Sequence, residues 1–220
     1  MSLAIAPLLM IGFFVVIAVL IGAAAVRQGK RAAENVRQPA GMLGLQFEDK
    51  PPVLGVFYSG ARAAGQLRGK RVELFPFSTG SGKSRVQWCA VSATLTVPGR
   101  LTFHLRRQGF STKVMELFGA KEIEVGDAEF DRAWFIQTNQ PAFLREALLP
   151  ELREKITALM RESGASARGM EFKLDGNTVR YAEIGTFSDP ARCQRCGRAA
   201  EIVCDLADVA EVFAEQRPVD

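Results

Sequence analysis

The first 26 residues carry no charged side chain, and Leu3 to Val26 is almost wholly apolar. About 20 apolar residues are enough for a helix to cross the hydrocarbon core of a bilayer. This run is long enough, and Pro7 sits near its start, where a helix tolerates proline best. A cleaved signal sequence is the rival reading, because Ala23-Ala24-Ala25 supplies small residues of the cleavage type. A signal sequence carries a basic leader and a shorter apolar core, and nothing basic precedes this run. We therefore expect residues 1–26 to be an uncleaved transmembrane anchor, residues 27–42 a basic juxtamembrane linker or helix, and residues 43–220 an α+β domain.

Beyond Pro51-Pro52, which should break any helix, the pattern turns strand-like. "RVELFPF" and "SRVQWCAVSATLTV" are rich in β-branched and aromatic residues. "RLTFHLRR" alternates, with Leu101, Phe103 and Leu105 on one face and Thr102, His104 and Arg106 on the other. "DRAWFIQT" (131–138) is apolar on both faces, which predicts a central strand.

A helical period follows, with Leu144, Leu148, Leu152, Ile156 and Leu159 on one side. Pro141 suits a first turn, and Pro150 predicts a kink or two consecutive helices. "GMEFKLDGNTVRYAEI" then reads as a hairpin turning at Asp175-Gly176. Ala200, Val203, Ala207, Ala210 and Phe213 share one face of a closing helix. The order of strands, helices, hairpin and helix predicts an α+β fold: an N-terminal transmembrane helix, then a largely antiparallel sheet packed with helices.

Charge sets the orientation. Arg27, Lys30, Arg31 and Arg37 follow the apolar run and no Lys or Arg precedes it. The positive-inside rule places the N-terminus outside and the domain in the cytoplasm, behind a membrane crossed once. These four cations are also candidates to face anionic lipid headgroups. The net charge of +4 is mild and well mixed, which argues against a nucleic-acid partner. Four cysteines in 220 residues form no disulfide framework, which suits a reducing compartment.

Four features suggest chemistry. "STGSGKS" ends in Gly82-Lys83-Ser84, like a P-loop, but Phe77 stands where the first glycine is required and a β-rich segment follows where a helix is required. We read it as a hairpin turn and expect no nucleotide there. The Gly-rich basic stretch "SGARAAGQLRGKR" could meet a phosphate, and we read it as a mobile, solvated loop.

Cys193-Gln-Arg-Cys196-Gly197 has the shape of a zinc knuckle. Cys204 is a candidate third metal ligand, with Cys89 or His104 a fourth. Asp189-Pro190 also looks like a helix start, and on a continuous helix Cys196 and Cys204 would stand about 12 Å apart, too far for one metal. We favour structural cysteines, with zinc the cofactor to test. "GDAEFDR" places Asp127, Glu129 and Asp131 at alternate positions, so an extended chain would point all three carboxylates one way, toward a cation or acid/base work. A solvated acidic turn is the reading we favour. His104, the single histidine, has no nucleophile signature beside it and reads as a surface strand residue.

The segment "LFGAKEIEVGDAEFDRAWFIQTNQPAFLREALLPELREKI", Leu117 to Ile156, resembles a core seen in uncharacterised bacterial membrane-anchored proteins. The similar elements are the G-D-x-E-F-D-R turn, an apolar strand and a helix opening "PAFLREALLPELR". The resemblance implies a cytosolic α+β domain behind a membrane helix, and does not extend to the C-x-x-C. No catalytic constellation is complete. The expected role is a membrane-anchored module that binds a protein partner or a second copy and organises an assembly at the cytoplasmic face. The alternative is a membrane-tethered enzyme or metal-binding module using Asp127, Glu129 and Asp131 or the Cys193/Cys196 pair.

Overall fold

The computed structural model describes residues 5–48, 60–108, 122–164 and 169–216. The proline pair at 51–52 and residues 117–121 of the resembling segment lie outside them.

Helix α1 runs unbroken from Ile5 to Met42. Its apolar half stands clear of the rest of the chain: Phe13, Phe14, Val19 and Leu20 are each more than 60% exposed. It is the one described helix long and apolar enough to cross a membrane. The expected linker is therefore a continuation of the same helix. Its last turns enter the domain, where Val36 and Ala40 are buried.

Eight strands follow in one sheet: β1 (Gln46–Glu48), β2 (Arg62–Leu67), β3 (Lys70–Thr79), β4 (Val86–Thr94), β5 (Phe103–Arg107), β6 (Trp134–Thr138), β7 (Met170–Asp175) and β8 (Thr178–Ile184). The spatial order is β1-β2-β3-β4-β8-β7-β5-β6. Every pairing is antiparallel, as the sequence pattern predicts. Among the described residues, four further helices are α2 (Ala128–Ala133), α3 (Pro141–Ala147), α4 (Pro150–Ser163) and α5 (Pro190–Gln216). Pro141 and Pro150 each open a helix, so the proline makes two helices rather than a kink.

Register assigns the two faces. Leu74 opposes Val91, Val91 opposes Tyr181, and Tyr181 opposes Phe172. These residues share one face and are fully buried beneath α5, which crosses β4 and β8. Burying each such large side chain contributes about 1.5–3 kcal/mol. The last turns of α1 and the length of α4 pack on either side of α5. The opposite face is mixed, carrying Phe75, Phe77, Trp88, Arg180, Glu171 and His104 by the same register.

Two expectations about strands are corrected. The apolar run at 131–138 is strand only from Trp134, and β6 ends the sheet order instead of occupying its centre. It is buried for other reasons. Trp134 and Ile136 enter the core, Phe135 lies under the Arg106 guanidinium at 5.5 Å, and the Ile123 N–H donates to the Ile136 carbonyl at 3.0 Å. The Gly-rich basic stretch, expected as a mobile loop, forms β2 and a tight turn into β3. Arg68 and Gly69 both take positive φ there, 53° and 77°, the pairing that a two-residue hairpin needs.

Candidate functional site

The β3–β4 hairpin brings the chain back toward the foot of the anchor. Its tip is "STGSGKS". Ser78 pairs with Gln87 and Thr79 with Val86, and Gly82–Ser84 forms a single 3-10 turn. The segment after it is strand β4, so the loop is the hairpin turn that the sequence predicts.

The stem of this hairpin forms one wall of a cleft of about 720 Å³. Pro76, Phe77 and Ser78 come from β3, and Arg85, Gln87 and Trp88 from the returning strand and its lead-in. The facing wall is a stripe of α1: Ala25, Gln28, Gly29 and Ala32. The floor is the β8–α5 loop, Gly185 to Ser188. Phe77 and Trp88 oppose each other in register and stack, with centroids 5.8 Å apart and planes within 8°. The Trp88 Nε1–H donates to Thr79 Oγ1 at 2.8 Å, and Arg85 donates to Ser78 Oγ at 3.1 Å. Arg180 closes the far side of Phe77, 4.6 Å from the ring centroid. The floor is tied to the anchor: Ser188 Oγ donates to the Gln28 carbonyl at 3.2 Å and Asn35 Nδ2 to the Phe187 carbonyl at 2.9 Å.

Beneath this cleft lies a buried charge network. Glu183, 1% exposed, accepts from Arg195 Nε (3.0 Å) and Nη2 (2.5 Å), from Arg192 Nε (2.8 Å) and from the Tyr181 hydroxyl (2.7 Å). The paired carboxylate raises the Arg195 pKa, and burial followed by the neighbouring negative charges raises that of Tyr181. The network ties the first turns of α5 to β8. Glu183 falls in phase with Val179 and Tyr181, on the inward face of β8, so an acidic residue at an apolar position was one signal a sequence reading could have used. The spacing of Arg192 and Arg195 along an apolar helix face was another.

A second set of ion pairs holds the far end of the domain. Arg68 donates to Asp205 and Asp208, each at 2.5 Å, and Lys70, 3% exposed, to Glu211 at 2.5 Å. Glu211 also accepts from the Thr96 N–H at 2.6 Å. Arg68 and Lys70 of the Gly-rich stretch therefore clamp α5.

Of the candidate metal ligands, Cys89, Cys193 and Cys196 lie near one another and Cys204 lies apart. Cys193, Cys196 and Cys204 all lie on α5 and are buried, and Gly197 is inside that helix rather than in a knuckle. Cys193 Sγ donates to the Phe187 carbonyl at 3.3 Å, whereas Cys204 lies beside the Leu67 carbonyl at 4.0 Å, at the other end of the domain. Cys89 is buried on β4. Among the described residues, no group of three or more His, Cys, Asp and Glu is placed to hold a metal ion.

Asp127, Glu129 and Asp131 do not lie on an extended chain. Asp127 caps α2, accepting from the N–H groups of Glu129 and Phe130, each at 3.2 Å. Asp131 reaches back to the N–H groups of Val125 (2.8 Å), Gly126 (3.1 Å) and Asp127 (3.1 Å). Glu129 pairs with Arg161. The D-x-E-x-D spacing is thus a helix start, with its carboxylates turned to separate partners.

His104, expected at the surface, is half-buried, with Nε2 2.9 Å from Glu171 Oε2. Arg180 holds the other oxygen of Glu171 at 3.2 Å. The four juxtamembrane cations Arg27, Lys30, Arg31 and Arg37 are all exposed. Arg37 also lies over the Phe47 ring at 5.0 Å.

No protein-family model matches the chain, and no curated protein matches it. Among solved structures, the chain is similar to the crystal structure of the mycobacterial trehalose monomycolate transport factor A, TtfA. The TM-score is 0.47 at 12% identity, over 82% of this chain and 95% of that one.

Proposed function

We propose that the chain is a single-pass membrane-anchored binding module. Its α+β domain stands on the cytoplasmic face of a bacterial inner membrane and holds a protein partner or a second copy there. One observation carries this reading: α1 is a single helix whose first half exposes Phe13, Phe14, Val19 and Leu20 and whose last turns are built into the domain core. A flexible tether would only keep a domain near a membrane. A continuous helix fixes which end of the domain meets the surface. Arg27, Lys30 and Arg31, exposed directly after the apolar run, support the cytoplasmic orientation. The enzyme or metal-module alternative has no such support, because Asp127 and Asp131 bond backbone N–H groups around the start of α2, Glu129 pairs with Arg161, and among the described residues no group of three or more His, Cys, Asp and Glu is placed to hold a metal ion.

A reporter fused after Asp220 tests the topology. Activity confined to the cytoplasm is expected, and a reporter active in the periplasm overturns the orientation. Co-purification from native membranes tests the binding role. A partner in fixed ratio, or a second copy, is expected. A chain that comes down alone and monomeric sinks that role.

A further inference from the structure

We propose that the tip of the β3–β4 hairpin, Ser78 to Arg85, rests on the anionic surface of the membrane that α1 spans, with Lys83 and Arg85 set against lipid phosphates. This inference rests on the membrane anchoring proposed above.

Position carries it. The end of α1 is level with the start of β3. A Cβ added to Gly65 would stand 3.1 Å from the Leu45 Cα, just past the helix, and Gly65 pairs with Val72. At the other end of β3, Ser78 pairs with Gln87, whose carbonyl accepts from the Gly185 N–H at 2.8 Å. Ser188 of that same loop donates to the Gln28 carbonyl at 3.2 Å. Ser78 and Arg85 also share the walls of one cleft with Ala25 and Gln28. From Met42 back to Gln28 the helix covers about 21 Å. From Val72 to Ser78 an extended strand covers about 20 Å. The two lengths agree, so β3 runs beside α1 toward its apolar half. The turn beyond Ser78 reaches about 7–10 Å further, level with the last apolar turn of α1, Gly22 to Ala25. The headgroup layer on each side of the hydrocarbon is about 5–7 Å thick. With the apolar run spanning the hydrocarbon, the hairpin tip and the exposed Arg27, Lys30 and Arg31 stand at that layer together.

Composition fits that depth. Ser78 to Arg85 are all exposed and carry hydroxyls, glycines and two cations, with no apolar side chain among them. Such a tip suits phosphate and glycerol oxygens and is too polar to enter the hydrocarbon. From Leu74 to Thr94 the hairpin has no Asp or Glu. Neither Lys83 nor Arg85 pairs with a carboxylate among the described residues. The complement of this surface is an anion. The Phe77 and Trp88 rings lie on the sheet face away from α1 and take no part.

The tip is also held in shape. The Ser84 N–H and Oγ both donate to the Ser81 carbonyl, at 3.1 and 2.8 Å, and Arg85 donates to Ser78 Oγ at 3.1 Å. Gly80 takes φ of 74°, and a Cβ there would stand 2.5 Å from the Ser84 carbonyl oxygen. A turn fixed in this way loses little freedom when it meets a surface.

The full-length chain, reconstituted in vesicles of phosphatidylcholine with or without phosphatidylglycerol, provides the test. All four native cysteines are buried. Ser81→Cys, at an exposed position with extended backbone, therefore takes a fluorophore at the tip alone. Gln66→Cys, exposed near the β2–β3 turn, is the control at the other end of the domain. A trace of phosphatidylcholine bearing a nitroxide on its headgroup quenches whichever label lies in the headgroup layer. With phosphatidylglycerol present, the Ser81→Cys label should be quenched and the Gln66→Cys label should not. Each cation near an anionic surface contributes roughly a fivefold preference for it. Adding Lys83→Gln/Arg85→Gln, both at exposed positions, should therefore bring the tip signal down toward the control. Vesicle flotation separates the two layers of the argument. A chain that does not float overturns the anchoring and the hairpin contact with it. A chain that floats leaves the anchoring standing. It overturns the contact if the Ser81→Cys label is quenched no more than the control, equally without phosphatidylglycerol, or to the same extent after both cations are lost.

Discussion

Gly197 of α5 faces Pro39 of α1 so closely that a Cβ added to the glycine would stand 2.8 Å from the Pro39 Cβ. The anchor helix and the central helix of the domain meet there with only the Pro39 ring against the Gly197 backbone. A glycine inside a helix costs about 1 kcal/mol against alanine, and this close crossing supplies the reason to keep it. The contact sets the angle at which the domain meets the end of the anchor. Gly197→Leu should push the helices apart and lower stability by about 1–3 kcal/mol, the usual cost of overpacking. Gly197→Ala should cost less, since its helix propensity offsets part of the clash. Thermal melting of the two variants beside the wild type checks the order, and an alanine variant that melts above the wild type would contradict the crowding.

The Glu183 network predicts a larger loss. With Glu183 removed, Arg195 keeps its charge in a site where it is 6% exposed. Breaking a buried pair on one side costs about 3–5 kcal/mol. Glu183→Leu should therefore fall in that range by urea unfolding. Removing both charges in Glu183→Leu/Arg195→Met should recover part of the loss. A double variant no more stable than the single one would mean that Arg192 and Tyr181 carry the site without Arg195.

Acid should weaken the mixed face of the sheet. Burial pushes the Glu171 pKa up, but the hydrogen bond and charge of His104, joined by Arg180, more than offset it, and the value lies below the ordinary 4.5. A carboxylate lowered in this way contributes stability at pH values above 4.5. That contribution is lost as pH falls through the folded value. Asp205 and Glu211 are lowered by their Lys and Arg partners and act in the same direction. Urea midpoints taken from about pH 7 down to about pH 3 should fall less steeply in Glu171→Gln than in the wild type. Parallel curves would show that the His104–Glu171–Arg180 contacts contribute nothing.

The cysteines should be silent until the domain unfolds. All four are free and buried. Burial pushes the Cys204 thiol up to about 11 and Cys193 to about 12, with Cys89 and Cys196 also raised. At pH of about 8 the thiolate fraction of such groups is about one in a thousand or less. Ellman's reagent should titrate essentially none of them in the native protein and all four in urea. Rapid labelling of Cys193 or Cys196 without denaturant would revive a redox or metal role for the pair.

Pattern alone was enough for much of the local structure. The apolar run, the alternation of Leu101, Phe103 and Leu105, the turn beside Asp175 and the helix openings at Pro141, Pro150 and Pro190 all follow from side-chain period and backbone preference. The missing glycine at Phe77 likewise settled how to read "STGSGKS" as a hairpin. At "GDAEFDR" alternation left an aligned-carboxylate alternative open beside the favoured acidic turn, and Asp127 and Asp131 in fact form a helix start. It misled at Trp134, where burial on both faces marks an edge strand covered by Arg106 and Ile123.

Only the tertiary structure decided which distant residues meet. Trp88, Arg85 and Ala25 share a cleft because the β3–β4 hairpin returns beside α1, and Glu183 meets Arg195 because α5 crosses β8. Local sequence sets the conformation of a segment through short-range sterics and hydrogen bonding. The partner across a sheet or a helix crossing is chosen by burial of the whole core at once, and no stretch of the chain carries that choice by itself.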